Sequence, residues 1–194
     1  MHTSKSLTYT FSMVLCAVFA ALLAAGAFIR IPTPFAPITL QAEFAVMAGL
    51  LLGRRRGAAS AGLYLVLGLL GLPVFTLGGG LGYVFQPTFG YIIGFVFGAY
   101  LAGLTVEKSI KGTNATYFLA SLAGLAAIYV SGLIYVLLIQ RFSIHAQTDM
   151  WALMKYYVLI PLPSDLILCA GTAVLAKRLR PVTKKYVELK KAVD

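Results

Sequence analysis

The chain has 194 residues, of which 60% are hydrophobic and only 11% are charged. Soluble domains are near half apolar and about a quarter charged. The apolar residues form continuous runs without period-two alternation, which favours membrane helices and excludes a porin-type barrel. The sequence therefore predicts an all-α integral membrane protein forming a single membrane domain over residues 1–194.

The two cysteines and two histidines offer no metal site. Cys16 and Cys169 are far apart inside apolar runs, no CxxC occurs, and neither His2 nor His145 has a ligand neighbour at a suitable spacing. We expect both cysteines to be small buried or lipid-facing residues.

Six apolar segments can be drawn along the chain, and they predict a six-transmembrane-helix bundle. The first resembles a signal peptide, with small residues in "AALLAAGA", but its apolar stretch is too long and five further spans follow. The predicted spans are about 7–29, 42–53, 57–72, 90–106, 115–140 and 152–179, followed by a basic tail at 180–194.

Basic residues predict the orientation. Only Arg30, Arg141 and Lys155 fall on one side of the predicted membrane, and the other thirteen of the sixteen Lys and Arg residues fall opposite. The positive-inside rule then places both termini in the cytoplasm. The net charge of +10 is explained by this bias and by contact with anionic membrane lipid, so nucleic-acid binding is not needed.

Short and broken helices predict a pocket. Spans of 12 to 16 residues cover about 18–24 Å of a hydrocarbon core that is about 30 Å thick. Irregular backbone at that depth must be covered by protein or line a cavity. The irregular connections at 30–41, 73–89 and 161–165 all lie towards the predicted outer side, and together they suggest a pocket that opens outward.

The stretch "GGGLGYVFQPTFGYIIG" at 78–94 is the most irregular part of the chain. It does not fit GxGxxG, and no P-loop motif occurs, so ATP binding by this chain is not predicted. Gly78, Gly79, Gly80 and Gly82 would let the backbone approach a ligand closely. A flexible exterior loop without a ligand is the alternative.

Asp165 is the acid that we expect at membrane depth, since it stands alone between Asp149 and Glu188 and precedes an apolar run. An ionisable group in such a place is a candidate ligand contact. Alternatively, Ser164 or Asp165 caps the helix that restarts after Pro163, and capping could coexist with ligand contact.

Amides, hydroxyls and aromatic rings are interleaved in the two longer connections. Prolines would stiffen the loop that ends at Gln41, and Pro87 separates two further polar side chains. These groups suit a small, mostly neutral, hydrogen-bonding ligand with an apolar body. The polar candidates are Gln41, Gln86 and Thr88, and the aromatic ones are Phe75, Tyr83 and Tyr91. Arg30 and Lys155 could attract an anionic tail or, as we favour, anchor helix ends.

No catalytic set can be assembled on one side of the membrane, so the protein is not predicted to be an enzyme. Small residues recur every four positions in two helices, at Gly90, Gly94, Gly98 and Ala102 and at Ala17, Ala21 and Ala25. Such stripes let helices approach closely in lipid. Packing inside the bundle explains one stripe easily, and the second leaves room for a partner protein.

Four motifs resemble the BioY family, the biotin-specific substrate-binding subunits of energy-coupling-factor (ECF) transporters. They are "PITLQ" (37–41), "LLLGRRRGAAS" (50–60), "LGLLGLPVF" (67–75) and "GGLGYVFQPTFGYIIGF" (79–95), and the likeness runs from about residue 7 to 181. It implies a six-helix, multi-pass protein of the bacterial plasma membrane that captures biotin with high affinity. It also implies a membrane coupling protein and cytoplasmic ATPases as partners, with no cofactor besides the transported biotin.

The resemblance also implies roles for single residues. The family's acid at the start of the last helix matches Asp165, which would accept ureido N–H bonds, and its loop glutamine matches Gln41. The small stripe on the first helix would dock the coupling protein. The family lysine three residues after the acid is Leu168 here, so Gln86 or a backbone amide would have to reach the ureido oxygen. Another vitamin, or an enzyme or assembly factor with a lipid-like substrate, remains the alternative.

Overall fold

Seven α-helices, one 3₁₀ helix, two π-helical turns and one small hairpin make up the regular structure in the residues that the computed structural model describes, which are 2–32, 37–109, 112–144 and 149–187. Four helices are long and apolar enough to cross a membrane. The helices are α1 (His2–Phe28), α2 (Gln41–Leu52), α3 (Arg54–Leu69), α4 (Phe89–Lys108), α5 (Asn114–Ile139), α6 (Met150–Met154) and α7 (Leu162–Val187).

Glycine, proline and a threonine cap set the helix ends. Gly53, with φ of +83°, separates α2 from α3 in a backbone conformation that other residues rarely adopt. Pro87 precedes α4, and the Thr113 hydroxyl accepts the Thr116 N–H at 3.3 Å to cap α5. These breaks divide the apolar sequence into helices close to the first five predicted segments.

A short hairpin interrupts the helical chain after α1. Strands β1 (Arg30–Ile31) and β2 (Ile38–Thr39) pair antiparallel, with Arg30 opposite Thr39. The hairpin joins α1 to α2. Residues 33–36 of this predicted proline-stiffened loop lie outside the described residues, as do 188–194 of the predicted basic tail.

The predicted span 152–179 falls within Met150–Thr183, a stretch long and apolar enough to cross a membrane. Inside it, α6 is followed by a wide π-helical turn at Lys155–Leu159, and α7 begins at Leu162, close to the predicted interruption at 161–165. Asp165 therefore lies in the first turn of α7. Pro163 fits there because the N–H groups of a first turn have no partner within the helix.

The short helix α2 lies at the centre of the bundle, where α1, α3, α4, α5 and α7 all contact it. Ten of its twelve residues are buried, which explains how a helix too short to span lipid is accommodated. Close packing continues between α4 and α5. A side chain at Gly90 would lie 2.1 Å from the Cβ of Tyr135, and one at Gly98 would lie 2.6 Å from Ile128. The α4 stripe is therefore used inside the bundle.

Candidate functional site

A cavity lies where the irregular connections meet the bundle. Its empty space, with the open mouth and the solvent in it included, is about 870 Å³. Each of the three connections contributes to its lining, together with side chains from α2, α4, α5 and the start of α7. The lining residues are Pro37, Ile38, Thr39, Gln41, Ala42, Thr76, Leu77, Tyr83, Gln86, Pro87, Thr88, Tyr91, Ile92, Phe95, Ile128, Tyr129, Tyr157, Pro161 and Asp165.

Asp165 faces the cavity from the first turn of α7, and its carboxyl is held by a phenol from α5. The Tyr129 hydroxyl donates to Oδ2 of Asp165 at 2.6 Å, and the two residues are 9% and 8% exposed. The neighbouring Ser164 hydroxyl donates to the Pro161 carbonyl at 2.7 Å. The Asp165 carboxyl is thus held by a side chain of α5, and a cap of α7 by Ser164 or Asp165 stays a prediction.

Aromatic rings form the wall beside Asp165. The rings of Tyr91 and Tyr129 meet edge to face, with centroids 6.0 Å apart and an angle of 83° between their planes. The Tyr91 hydroxyl donates to the Tyr157 carbonyl at 2.7 Å, which ties α4 to the π-helical turn before α7. This wall offers apolar ring surface to a ligand next to the carboxyl group.

Gln41 also lines the cavity, and neighbouring protein groups form hydrogen bonds with its side-chain amide. Its Oε1 accepts from the hydroxyls of Thr39 at 3.3 Å and Thr76 at 3.2 Å, and its Nε2 donates to the Tyr64 hydroxyl. Tyr64 in turn donates to the Val74 carbonyl at 3.1 Å. Gln41 is 3% exposed, so its main structural effect is to join the hairpin, α3 and the loop at 73–80.

The glycines at the start of the stretch 78–94 are not among the residues that line the cavity. Gly79 and Gly80 are not among the lining residues, although Tyr83, Gln86 and Thr88 further along the segment are. A side chain at Gly79 would lie 2.1 Å from the Leu72 carbonyl oxygen. Gly80 has a φ of +97° and donates its N–H to the Gly68 carbonyl at 2.7 Å. Ligand contact by these two glycines stays a prediction.

Tyr83 is the buried aromatic residue of this segment. Burial raises the pKa of its phenol above the ordinary value, and hydrogen bonds with Thr88, Leu77 and Thr76 oppose that shift. The ring packs against Phe75, with centroids 4.6 Å apart. The neutral phenol therefore belongs to the apolar body of the site, and Phe75 supports it from behind.

The two cations considered for an anionic tail have other contacts. The Arg30 guanidinium donates to the Thr76 carbonyl at 2.5 Å, which fastens the end of α1 to the loop at 73–80. Lys155 lies 5.6 Å from the ring centroid of Tyr156. Neither residue lines the cavity.

Glu43 is a buried acid that the sequence reasoning missed. It is 5% exposed, and Thr172 of α7 donates its hydroxyl to Oε2 at 2.9 Å. Its Oε1 is buried and has no hydrogen-bond partner among the described residues. The expectation that Asp165 is the lone acid at membrane depth was therefore wrong, because Glu43 near the start of α2 is buried against Thr172 of α7.

Tyr129 and Tyr157 were also missed, although each lines the cavity. Tyr129 is a polar aromatic residue within an apolar span, which was a usable signal for a site, but its contact with Asp165 depends on how α5 and α7 pack. Leu168, at the position of the family lysine, does not line the cavity. The Ala17, Ala21 and Ala25 side chains are exposed on α1, in contrast to the α4 stripe.

The fold and the site thus define a helical membrane protein with an apolar cavity that carries one carboxyl group. The chain matches the BioY family over residues 1–185. It is 39% identical over 181 residues to a probable biotin transporter BioY of Lysinibacillus sphaericus, covering 93% of this chain and 92% of the relative. It is 38% identical to the biotin transporter BioY of Thermotoga maritima over 69% of this chain and 76% of that one.

A solved structure agrees with the sequence relatives. A crystal structure of the S-component for biotin from an ECF-type ABC transporter matches with a TM-score of 0.75 and 29% identity, covering 93% of this chain and 94% of that one. This chain belongs to the BioY family. The relatives named above are transporters and not enzymes.

Proposed function

We propose that the protein is the biotin-capturing S subunit of an ECF-type vitamin uptake transporter. The observation that carries the proposal is the cavity itself. It places the buried Asp165 carboxyl beside the rings of Tyr91 and Tyr129, and it lies in a chain that matches a biotin S-component over 93% of its length. A carboxylate oxygen can accept an N–H from a ureido group, while the aromatic wall takes the apolar part of the ligand.

The remaining polar groups of the cavity would complete the ligand shell. Gln86 and Thr88 lie on the connection before α4, within the same lining as Asp165. They are the side chains we assign to the ureido oxygen or to the carboxylate tail of biotin. Gln41 acts mainly by holding the wall, since its oxygen already accepts two hydroxyl groups and its amide donates to Tyr64.

The protein crosses the bacterial plasma membrane six times in this proposal, with both termini in the cytoplasm. Helices α2 and α3, of 12 and 16 residues, complete the bundle because neighbouring helices cover the short α2. The bias of Lys and Arg residues supports the orientation. The cavity then opens to the outside, where biotin is captured.

A membrane coupling protein with cytoplasmic ATPases is the partner that we assign to the exposed stripe on α1. Ala17, Ala21 and Ala25 are exposed, in contrast to the α4 stripe that packs against α5. A face of small side chains gains van der Waals contact when another helix comes close. The chain has no P-loop motif of its own, which fits an ATPase on separate subunits.

Ligand retained through purification tests the proposed function. We expect mass spectrometry of the protein purified from biotin-containing medium to identify biotin, and calorimetry after its removal to show one site per chain. Thiamine and riboflavin serve as matched vitamin controls and should give no heat of binding. Tight binding of either control with no response to biotin would favour another vitamin. Turnover of a ligand would favour an enzyme.

A further inference from the structure

The Tyr129 hydroxyl occupies one of the two oxygens of the carboxyl group that faces the cavity. It donates to Oδ2 of Asp165 at 2.6 Å, and the Ser164 hydroxyl donates to the Pro161 carbonyl at 2.7 Å. Of the two Asp165 oxygens, Oδ1 therefore has the greater capacity left to accept from a ligand, as far as the described residues show. A free carboxylate can accept two parallel N–H groups, one on each oxygen, whereas a hydroxyl already bonded to one oxygen competes with the second N–H for that oxygen.

Packing holds the phenol in this position. Tyr129 is buried together with Leu125 and Cys169, and Tyr91 meets its ring edge on at a centroid distance of 6.0 Å. Rotating the ring away from Asp165 would require these neighbours to move, and buried side chains in close contact do so at a cost. The direction of Oδ1 is therefore fixed before a ligand arrives.

We propose that Tyr129 is the specificity-determining residue of the cavity: by bonding Oδ2 of Asp165 it competes with the second of two parallel N–H groups and so favours a neutral cyclic urea over a guanidinium. This inference rests on the proposed function. A neutral urea presents one N–H on each side of its carbonyl group. A cyclic guanidinium presents a ring N–H and an exocyclic NH₂ side by side, which matches a carboxylate with both oxygens free.

The two-ligand comparison of biotin with 2-iminobiotin tests the proposal, since iminobiotin replaces the urea by a guanidinium. Calorimetry would give both dissociation constants for the wild-type protein and for Tyr129→Phe. Removing the hydroxyl frees Oδ2, so we expect the ratio of the iminobiotin to the biotin dissociation constant to fall roughly tenfold, as one charge-assisted hydrogen bond would produce. An unchanged ratio would overturn the role of Tyr129.

Tyr91→Phe is the matched control, because it removes a hydroxyl from the same aromatic wall. That hydroxyl donates to the Tyr157 carbonyl and not to the carboxyl group, so both affinities should change together and the ratio should stay constant. A purely structural effect of Tyr129→Phe would behave in the same way. A fall in the ratio for both variants would also overturn the proposal.

Two further measurements separate this inference from the proposed function and from folding. The wild-type protein alone should bind iminobiotin no more tightly than biotin, and tighter binding of iminobiotin would overturn the inference even if Tyr129→Phe did not fold. In a protein that carries Asp165→Asn, adding Tyr129→Phe should weaken biotin binding by less than twofold, because the two residues act through one contact. If the losses of biotin-binding free energy from the two changes were additive, the proposal that Tyr129 acts through Asp165 would be contradicted. Failure of the wild type to bind biotin would refute the proposed function itself.

Discussion

Asp165→Asn is the most informative single change at the cavity. The replacement keeps the size of the side chain but turns one acceptor oxygen into an NH₂ donor. The amide oxygen can still accept the Tyr129 hydroxyl, which is 2.6 Å from Oδ2 in the native protein. The NH₂ group then faces the position where a ureido N–H is expected, so two donors oppose each other.

The size of the effect follows from the hydrogen bond that is lost. A hydrogen bond to a charged group contributes about 1.5–3 kcal/mol, and each 1.4 kcal/mol corresponds to about a factor of ten in affinity. Calorimetry with biotin should therefore show binding weakened roughly ten- to hundredfold, with the thermal unfolding midpoint recorded beside it to confirm a folded protein.

A matched control is available at the start of α6. Asp149 accepts the Trp151 N–H at 2.9 Å and is exposed, so Asp149→Asn makes the same chemical change outside the cavity. Its biotin affinity should equal that of the wild type. Wild-type affinity in Asp165→Asn as well would refute the reasoning and leave Asp165 with a structural role only.

Three further predictions concern the loop, the second acid and the exposed helix face. Gly80→Val should weaken biotin binding several-fold, because the positive φ at residue 80 would strain a valine by about 1–3 kcal/mol. Gly82 does not have a positive φ, so Gly82→Val should leave biotin binding unchanged. Thr172→Val should lower the free energy of unfolding by about 1–3 kcal/mol by orphaning Glu43, and adding Glu43→Leu should recover much of it in denaturant titrations. Ala21→Leu should keep biotin binding and abolish uptake and co-purification with the coupling protein. Loss of both binding and stability would instead place Ala21 inside the bundle.

The prediction for Ala21→Leu has a matched control on another helix. Ala126 is exposed on α5, so Ala126→Leu adds an identical side chain to a different helix face. We expect it to preserve biotin binding, uptake and co-purification. Equal loss of uptake in both variants would argue for a general effect of bulk on the membrane-facing surface rather than a docking face on α1.

The sequence was sufficient to predict the helices and the place of the cavity, because both depend on local chemistry. Long apolar runs bounded by Gly53 or Pro87 leave little choice of structure. The three irregular connections had to be covered or to line a cavity, and the structure brings all three to one. The predicted polar and aromatic candidates Gln41, Tyr83, Gln86, Thr88, Tyr91 and Asp165 line it, whereas the predicted glycines and Phe75 do not.

The contacts between helices could not be read from the sequence in the same way. Tyr129 meets Asp165 across 36 residues, and Thr172 meets Glu43 across 129. Each pairing depends on how two helices are rotated about their axes, which the nearly uniform apolar sequence of the spans does not specify. For the same reason the sequence did not show that the α4 stripe faces α5 while the α1 stripe is exposed.

The two walls of the cavity differ in how their hydrogen bonds are satisfied, and this difference assigns their roles. On the Gln41 side, the side-chain oxygen accepts from Thr39 and Thr76 and the amide donates to Tyr64, so a ligand that donated to that oxygen would have to compete with existing partners. An exchange of that kind contributes little net free energy. On the Asp165 side, Oδ1 can gain a partner while Oδ2 keeps the Tyr129 hydroxyl. Shape is therefore set on the Gln41 wall, and chemical selection takes place at Asp165.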